Sequence, residues 1–227
     1  MNIAIIVAAG TGSRFSADQP KQFTHILGKP LLIHTLERFG ACPTVDEIVL
    51  VLSDAGREQF QISNLESKIS KLRSIVIGAA TRAESVKNGL DAIDASTANI
   101  VAVHDGARPL VSVEEITRVI EKADETGAAC LVAEVTDTIK EISDGVIVGT
   151  VERDKLRRAL TPQAFRYEIL IKAYENADLS VNVTDECYLV EKLGIEIAVV
   201  EGSSRNIKIT RAEDIRFAEM FLSEPPA

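Results

Sequence analysis

The fold is decided by residues 3–15, which read Ile3-Ala4-Ile5-Ile6-Val7-Ala8-Ala9-Gly10-Thr11-Gly12-Ser13-Arg14-Phe15. The first five of these residues are apolar, which is typical of a strand that is buried on both faces of a parallel sheet. The strand opens into a glycine-containing loop, and such a loop presents bare backbone N–H groups to an anion. Arg14 and Lys21 add two cations to the same neighbourhood. This combination suits a triphosphate and the charge that develops when an α-phosphate is attacked.

The glycines of this loop match neither of the common nucleotide-binding fingerprints. Phe15 stands where the dinucleotide motif has its third glycine, and no Gly-Lys-Ser/Thr sequence follows Gly12. Two glycines after a strand also occur in many turns that have no chemical role. The pattern becomes specific through Arg14, through the continuation Pro20-Lys21-Gln22, and through motifs further along the chain.

The composition is that of an acidic globular protein. The 227 residues are 46% hydrophobic and 26% charged, and they carry a formal net charge of −9. The length fits one domain over 1–227, and the charge disfavours nucleic acid as a partner because phosphate binding requires a basic face. No apolar run reaches the roughly 20 residues of a membrane helix, and no signal-peptide pattern is present. The three cysteines are widely spaced, so we expect a cytoplasmic protein without a membrane partner.

Predicted strands and helices alternate along the chain. Apolar runs predict strands at 3–7, 47–52, 74–77, 99–103, 128–132 and 195–200. Amphipathic helical patterns lie between them, and capping boxes are predicted at 81–84, 112–115 and 210–213. This alternation predicts an α/β fold with a Rossmann-like doubly wound, mostly parallel sheet, in which ligands bind at the carboxyl ends of the strands.

One segment interrupts the alternation, at about 137–152. Two apolar runs flank Asp144-Gly145, which is a strong hairpin turn signal. A two-stranded hairpin cannot bury both of its faces alone. The pattern leaves two alternatives equally open: a protruding β-hairpin arm that packs against a second subunit, or a hairpin folded onto its own domain.

A second motif, His104-Asp105-Gly106-Ala107-Arg108-Pro109, follows the predicted strand 99–103. Aspartate at the carboxyl end of a central strand can meet a phosphate-bound Mg²⁺ or orient a substrate hydroxyl. Arg108 can bind a phosphate in bidentate fashion. The alternative is a turn held by an ion pair between Asp105 and Arg108.

A third motif, Gly78-Ala79-Ala80-Thr81-Arg82-Ala83-Glu84-Ser85, joins a strand to a capped helix. Helix N-termini attract anions and polar ligand edges, and Ser85 in the first turn could contact a base or ribose. The alternative is a plain capped helix. Several cations also flank predicted strand ends or turns, namely Arg14, Lys21, Arg108, Arg153 and Lys208.

Taken together, these segments resemble the 2-C-methyl-D-erythritol 4-phosphate cytidylyltransferase family of the non-mevalonate isoprenoid pathway. The resemblance covers nearly the whole chain. Its six motifs, in order, are Ala8-Ala9-Gly10, Pro20-Lys21-Gln22, His104-Asp105-Gly106-Ala107-Arg108-Pro109, Thr161-Pro162-Gln163, Thr184-Asp185-Glu186 and Asn206-Ile207-Lys208.

The resemblance implies an enzyme that transfers the cytidylyl group of CTP to a polyol phosphate and releases pyrophosphate, with Mg²⁺. The implied catalytic residues are Arg14, Lys21, Arg153 and Lys208. The implied CTP-binding residues are Ala8, Ala9, Gly10, Gly12, Ala79, Ser85 and Asp105. The implied substrate-binding residues are Asp105, Arg108, Thr138, Arg153, Thr161, Thr184 and Lys208. The metal would be held mainly by the CTP phosphates, with Asp105 as a candidate ligand.

The resemblance also implies a homodimer. In the family the arm reaches across to a second subunit, so Thr138 and Arg153 would serve the neighbouring subunit's site. It thereby favours the protruding arm over the folded-back hairpin.

This chain departs from the family pattern at two positions. Ala79 replaces a glycine found in many members, so a backbone contact to cytosine there requires a negative φ or a mild strain. Gly106 replaces an alanine, and a small residue remains.

Three rival functions are weaker. A ribitol-5-phosphate cytidylyltransferase is the nearest, but those relatives tend to have a second glycine in the first motif and to lack the glutamate at 186. A sugar-1-phosphate nucleotidyltransferase is disfavoured by the motif at 105–109. A nucleotide-binding regulator without catalysis would not need both Arg14 and Lys21.

Overall fold

A mixed sheet of seven strands forms the centre of the protein in the computed structural model, which describes residues 1–10, 20–63, 65, 69–181 and 183–224. The strands are β1 (Asn2–Ala8), β2 (His25–Ile26), β3 (Lys29–Pro30), β4 (Glu47–Leu52), β5 (Leu72–Ile77), β6 (Ile100–Asp105), β7 (Ala128–Glu134), β8 (Ile139–Ser143), β9 (Val146–Val151), β10 (Arg157–Arg166) and β11 (Ala198–Glu201). The helices are α1 (Leu31–Ala41), α2 (Asp54–Ile62), α3 (Arg82–Asp91), α4 (Val113–Thr126), α5 (Tyr167–Glu175), α6 (Glu186–Glu191) and α7 (Asp214–Ser223). Gly12 and Arg14 lie outside the described residues.

The strand order of the large sheet is β11-β7-β10-β6-β1-β4-β5. β1 pairs in parallel with β4 on one side and with β6 on the other, and β4 pairs in parallel with β5. After β1, the chain adds β4 and β5 on one side of it. The later strands β6, β7, β10 and β11 are all added on the other side. This reversal beside β1 is where ligands bind in doubly wound sheets. The predicted α/β fold with a mostly parallel sheet is confirmed.

The sequence did not predict β10, which runs antiparallel between β6 and β7. Its register against β7 shifts between Ala159 and Gln163, and Pro162 lies in that interval. Proline lacks an N–H group for the ladder and is normally excluded from central strands. The bulge accommodates it here, which is why the local pattern failed to indicate a strand.

β1 is apolar from Ile3 to Ala8 because both faces of the sheet are covered. Ala4 and Ile6 pack with α1 and α4 on one face, while Ile3 and Ile5 pack with α3, α5 and α6 on the other. The prediction of burial on both faces is wrong for β5 and β11. These strands lie at the two edges of the sheet, where most of their residues are half-buried or exposed.

Two of the three predicted capping boxes are confirmed, at the starts of α3 (Thr81 with Glu84) and α4 (Ser112 with Glu115). The third is wrong, because Glu213 does not take part. Asp214 Oδ2 instead accepts hydrogen bonds from Thr210 N at 2.7 Å, Thr210 Oγ1 at 3.0 Å and Arg211 N at 2.8 Å. The helix α7 consequently begins at Asp214.

The predicted hairpin is present as β8 and β9, which pair with each other in a separate two-stranded sheet. Asp144 and Gly145 both have positive φ, at 51° and 80°, as a two-residue turn of this kind requires. Most hairpin residues are exposed, including the apolar side chains of Ile142, Val146, Ile147 and Val148. The described part of the chain thus has a protruding arm rather than a hairpin folded onto its own domain.

The cysteines Cys42, Cys130 and Cys187 are buried free thiols. Within the described ranges, no helix is both long and apolar enough to cross a bilayer.

Replacing Asp214 by alanine is expected to lower the free energy of unfolding by about 1–2 kcal/mol, since three donors lose their acceptor. The exposed Glu213 is the matched control, and its alanine variant should stay within about 0.5 kcal/mol of the unmodified protein. Burial alone would raise the pKa of Asp214, but the hydrogen bonds from Thr210 and Arg211 outweigh it and lower that pKa. The contribution of Asp214 to the free energy of unfolding is therefore fully present above the ordinary pKa of an aspartate. It is lost as the pH falls through the lowered pKa. Urea unfolding of both alanine variants at neutral and acid pH measures these changes in the free energy of unfolding. Equal losses of stability in the Glu213 and Asp214 variants would contradict the assigned capping role of Asp214.

Candidate functional site

A cleft of about 520 Å³ opens at the carboxyl ends of β1, β4, β5 and β6. Eight of the residues predicted for the site line it: Ala8, Ala9, Gly10, Lys21, Ala79, Ser85, Asp105 and Lys208. The remaining lining residues are Val7, Gln22, Ser53, Ala80, Thr81, Arg82 and Ala107. Segments that are far apart in sequence therefore meet at the predicted edge of the sheet.

One wall of the cleft is a close approach between the loop after β1 and the loop after β5. A Cβ built on Gly78 would collide with the Cβ of Ala9 and would lie 2.8 Å from Ser85 Oγ. Glycine is therefore required at 78 for the two loops to lie together. The approach places backbone groups of both loops on the same cavity.

Ser85 shapes this wall rather than reaching into the cleft with a free hydroxyl. Its Oγ accepts a hydrogen bond from Ala79 N at 2.9 Å and donates to Thr81 O at 2.8 Å. These two hydrogen bonds hold the loop, and the contact of Ser85 to a base or ribose stays a prediction. Among the described non-glycine residues, those with positive φ are Leu27 and Asp144. Ala79 therefore has a negative φ, as a backbone contact to cytosine requires at a position where many family members have glycine.

Asp105 is the electrostatic centre of the cleft. Its Oδ1 lies 2.9 Å from Arg82 Nε, and its Oδ2 lies 2.8 Å from Lys208 Nζ and 3.6 Å from Arg108 Nε. Burial alone would raise the pKa of Asp105, but the charges of Arg82, Lys208 and Arg108 outweigh it and hold that pKa well below its usual range. The carboxylate is therefore ionised at neutral pH.

Arg82 was not predicted as a site residue. Besides Asp105, it binds Glu186, which accepts from Arg82 Nη1 at 2.7 and 3.0 Å. Burial by itself lowers the pKa of Arg82, but the two carboxylates raise it above its usual value. One signal was available in the sequence: an arginine in the first turn of a helix opposes the helix dipole and calls for a nearby anion.

Lys21 and Lys208 lie at the mouth of the cleft beside the same short segment. Lys21 Nζ donates to the carbonyl of Ile209 at 2.6 Å, next to Lys208 in sequence. Lys208 is 39% exposed. Two cations predicted from segments almost 190 residues apart therefore converge on one side of the cavity.

Arg108 and Thr161 were predicted to contact the substrate, but neither lines the cleft in the described structure. Arg108 Nη1 donates to Asn206 O at 2.7 Å. Thr161 Oγ1 accepts from Asp105 N at 3.1 Å and lies 3.1 Å from His104 Nδ1. Thr161 thus binds the backbone of Asp105, and Arg108 lies beside its carboxylate.

His104 completes this support as a neutral side chain. Burial lowers its pKa to about 3. Its Nε2 lies 3.1 Å from the carbonyl of Arg108, which can only accept, so Nε2 carries the proton. Nδ1 then accepts from the Thr161 hydroxyl, and the turn from His104 to Arg108 is held at both ends.

Three other predicted residues lie away from the cleft. Thr138 and Thr184 are exposed, and neither lines it. Arg153 follows the hairpin, and its Nη1 donates to Thr136 O at 2.6 Å. It lines a separate pocket of about 550 Å³ together with Arg157 and Glu134. Within one chain, Arg153 and Thr138 are not part of the cleft.

The described lining of the cleft offers one carboxylate to a divalent cation. Among the described residues, no group of three or more His, Cys, Asp or Glu could hold a metal. Asp105 is the one carboxylate among the described lining residues, and it already faces cations. A single carboxylate fits Mg²⁺ only in the manner typical of nucleotide enzymes, in which substrate phosphates supply most of the oxygen ligands.

Comparison with known proteins gives one consistent result. The family model described as 2-C-methyl-D-erythritol 4-phosphate cytidylyltransferase matches residues 2–224. An enzyme of that name from Syntrophus aciditrophicus is 42% identical, over 98% of this chain and 96% of its own length. The bifunctional enzyme IspD/IspF of Desulfotalea psychrophila is also 42% identical over 97% of this chain, which spans 56% of that longer relative. The crystal structure of 4-diphosphocytidyl-2C-methyl-D-erythritol synthase from Anaerococcus prevotii matches with a TM-score of 0.85 at 31% identity, covering 98% of this chain and 96% of that one.

Proposed function

The chain belongs to the 2-C-methyl-D-erythritol 4-phosphate cytidylyltransferase family, and we propose that its cleft transfers the cytidylyl group of CTP to methylerythritol phosphate in the cytoplasm. The products are CDP-methylerythritol, an isoprenoid precursor, and pyrophosphate. One observation carries the assignment of the site. In a protein of net charge −9, the described residues Lys21, Arg82 and Lys208 converge on a single cleft that Gly10, just after β1, also lines.

The reaction needs no nucleophilic side chain, because the substrate phosphate is itself the nucleophile. One of its oxygens forms a bond to the α-phosphorus of CTP while the bond from that phosphorus to the bridging oxygen breaks, and pyrophosphate leaves. The described residues that line the cleft include no cysteine or histidine, as this mechanism allows. The task of the protein is to bring two anions together and to stabilise the charge of the transition state.

Different cations of the site are assigned to the two phosphate groups that react. Lys21, which belongs to the segment that follows the β1 loop in sequence, is assigned, with Arg14, to the charge that develops on the α-phosphate. Lys208 is assigned to the substrate phosphate. Asp105 supplies an acceptor beside Lys208 for a substrate hydroxyl.

The cytidine is assigned to the wall formed by the loops after β1 and β5. Ala8, Ala9 and Gly10 present backbone groups there, and Ser85 fixes the backbone at Ala79. Small side chains on both loops leave room for a base.

Mg²⁺ fits this arrangement as a partner of the nucleotide. Asp105 is the described residue that would contribute a protein ligand. When bound, the cation neutralises phosphate charge and so favours attack on the α-phosphorus.

A homodimer accounts for the residues that lie outside the cleft. The exposed apolar arm needs a surface to cover it, and Thr138 and Arg153 lie at its base. In a symmetric dimer, each arm would place these two residues at the neighbouring subunit's cleft.

Pyrophosphate release from CTP and Mg²⁺ is the direct test of the function. We expect release to require a polyol phosphate, with kcat/KM at least about a hundredfold higher for methylerythritol 4-phosphate than for ribitol 5-phosphate, or about 2.7 kcal/mol in the transition state. A preference for ribitol 5-phosphate would keep the cytidylyl transfer and overturn the assigned polyol. No release with either substrate would overturn the proposal.

Replacing Lys21 by alanine is expected to lower kcat by about 10²–10³-fold, since its charge acts mainly on the transition state. The KM for CTP should change by less than about threefold. Lys29 is the control, because it pairs with Glu37 on the surface and does not line the cleft. Its alanine variant should keep the unmodified kcat, and equal losses of kcat and CTP affinity in the Lys21 variant would contradict the assignment.

The shared site predicts complementation between inactive subunits. Lys21→Ala and Arg153→Ala chains should each be inactive, and mixing them should restore about a quarter of the unmodified activity when subunits exchange at random. Each mixed dimer then contains one site with both residues intact. Absence of recovery, with subunit exchange verified by differently tagged chains, would contradict the trans role of Arg153.

A further inference from the structure

Four side chains form a row of alternating charge that begins in the core and ends in the cleft. Glu186 binds Arg82 Nη1 at 2.7 and 3.0 Å, and Arg82 Nε binds Asp105 Oδ1 at 2.9 Å. Lys208 Nζ lies 2.8 Å from Asp105 Oδ2. The row joins the start of α6, the start of α3 and the end of β6 to the segment that carries Lys208.

Glu186 is the end of the row that a substrate does not contact. Its side chain is 0% exposed, and it is not part of the cleft lining. It also accepts a hydrogen bond from the Tyr174 hydroxyl at 3.2 Å. Burying an ion pair is costly, and apolar side chains of similar volume often stabilise a core as well or better. A buried carboxylate that reaches the cleft through Arg82 therefore points to a role in the site.

The two principal partners of Asp105 differ in their freedom to move. The Arg82 side chain is 23% exposed and is held by Glu186 at Nη1. The Lys208 side chain is 39% exposed and reaches Asp105 on a flexible stem. A phosphate that enters the cleft can draw Lys208 away from Oδ2, whereas Arg82 stays on Oδ1 and keeps the carboxylate ionised.

We propose that Arg82 and Glu186 are positioning residues that keep one carboxylate oxygen of Asp105 available to a hydroxyl of the polyol phosphate. The inference rests on the proposed function and deepens it. Without the negative charge of Glu186, the guanidinium of Arg82 would be free to turn and bind both oxygens of Asp105. The acceptor for the polyol would then be covered, while the nucleotide wall would be unchanged.

The substitution Glu186→Gln tests this with little change in volume. We expect kcat/KM for methylerythritol 4-phosphate to fall by about tenfold or more, with KM for CTP within about twofold of the unmodified value. Glu191→Gln is the matched control, because Glu191 lies on the same helix and is exposed. It should leave both parameters unchanged. Unmodified kinetics in Glu186→Gln, or a parallel rise of both KM values, would overturn the proposal, since a merely structural role loosens both substrates alike.

A double variant tests whether Glu186 acts through Arg82. Arg82→Gln alone leaves Glu186 buried without its cation, so Arg82→Gln is combined with Glu186→Gln to give a neutral amide pair. We expect the double variant to fold, judged by circular dichroism, and to lose at least as much kcat/KM for the polyol phosphate as Glu186→Gln, with KM for CTP nearly unchanged. Unmodified kcat/KM in the folded double variant would overturn the proposal, and if that variant fails to fold, Glu186→Gln decides.

The same assays separate this inference from the proposed function. If the unmodified protein releases no pyrophosphate with a polyol phosphate, the proposed function fails and the inference fails with it. If the unmodified protein is active and the variants match it, only the positioning role is overturned.

Discussion

The site depends on one ionised carboxylate, that of Asp105, held between Arg82 and Lys208. Its position follows from β6 ending beside β1, where the sheet reverses direction. Its charge state follows from the cations around it, which outweigh the cost of burial. Because opposite charges at this distance constrain one another, Asp105 also determines where the two cations lie.

The surrounding structure serves mainly to keep that carboxylate in place. Thr161 binds its backbone N–H, and neutral His104 joins Thr161 to the carbonyl of Arg108. Glu186 fixes Arg82 from the core side. Most polar groups in this chain of contacts are hydrogen-bonded, which makes a buried polar network rigid, although Arg82 Nη2 is buried without a hydrogen-bond partner in the described structure.

Much of the fold could be predicted because its signals are local. The apolar run in β1, the turn at Asp144-Gly145 and the caps of α3 and α4 each depend on residues a few positions apart. β10 has no such local signal, because Pro162 interrupts the strand pattern. The strand forms through its pairing with β6 and β7, which lie far from it in sequence. The predicted cap at Glu213 failed for a related reason: two acids stand side by side, and only the backbone path selects Asp214.

The sequence by itself determined the buried strand β1, the alternation of elements, and the set of motifs that places the chain in its family. Those properties reside in short segments. Only the tertiary structure decided which residues serve the cleft directly and which support it. Arg82 and Glu186 are 104 positions apart, and Thr161 turns its hydroxyl toward His104 rather than the cavity. Such pairings depend on the path of the whole chain, because the energy of a buried charge depends on what surrounds it in space.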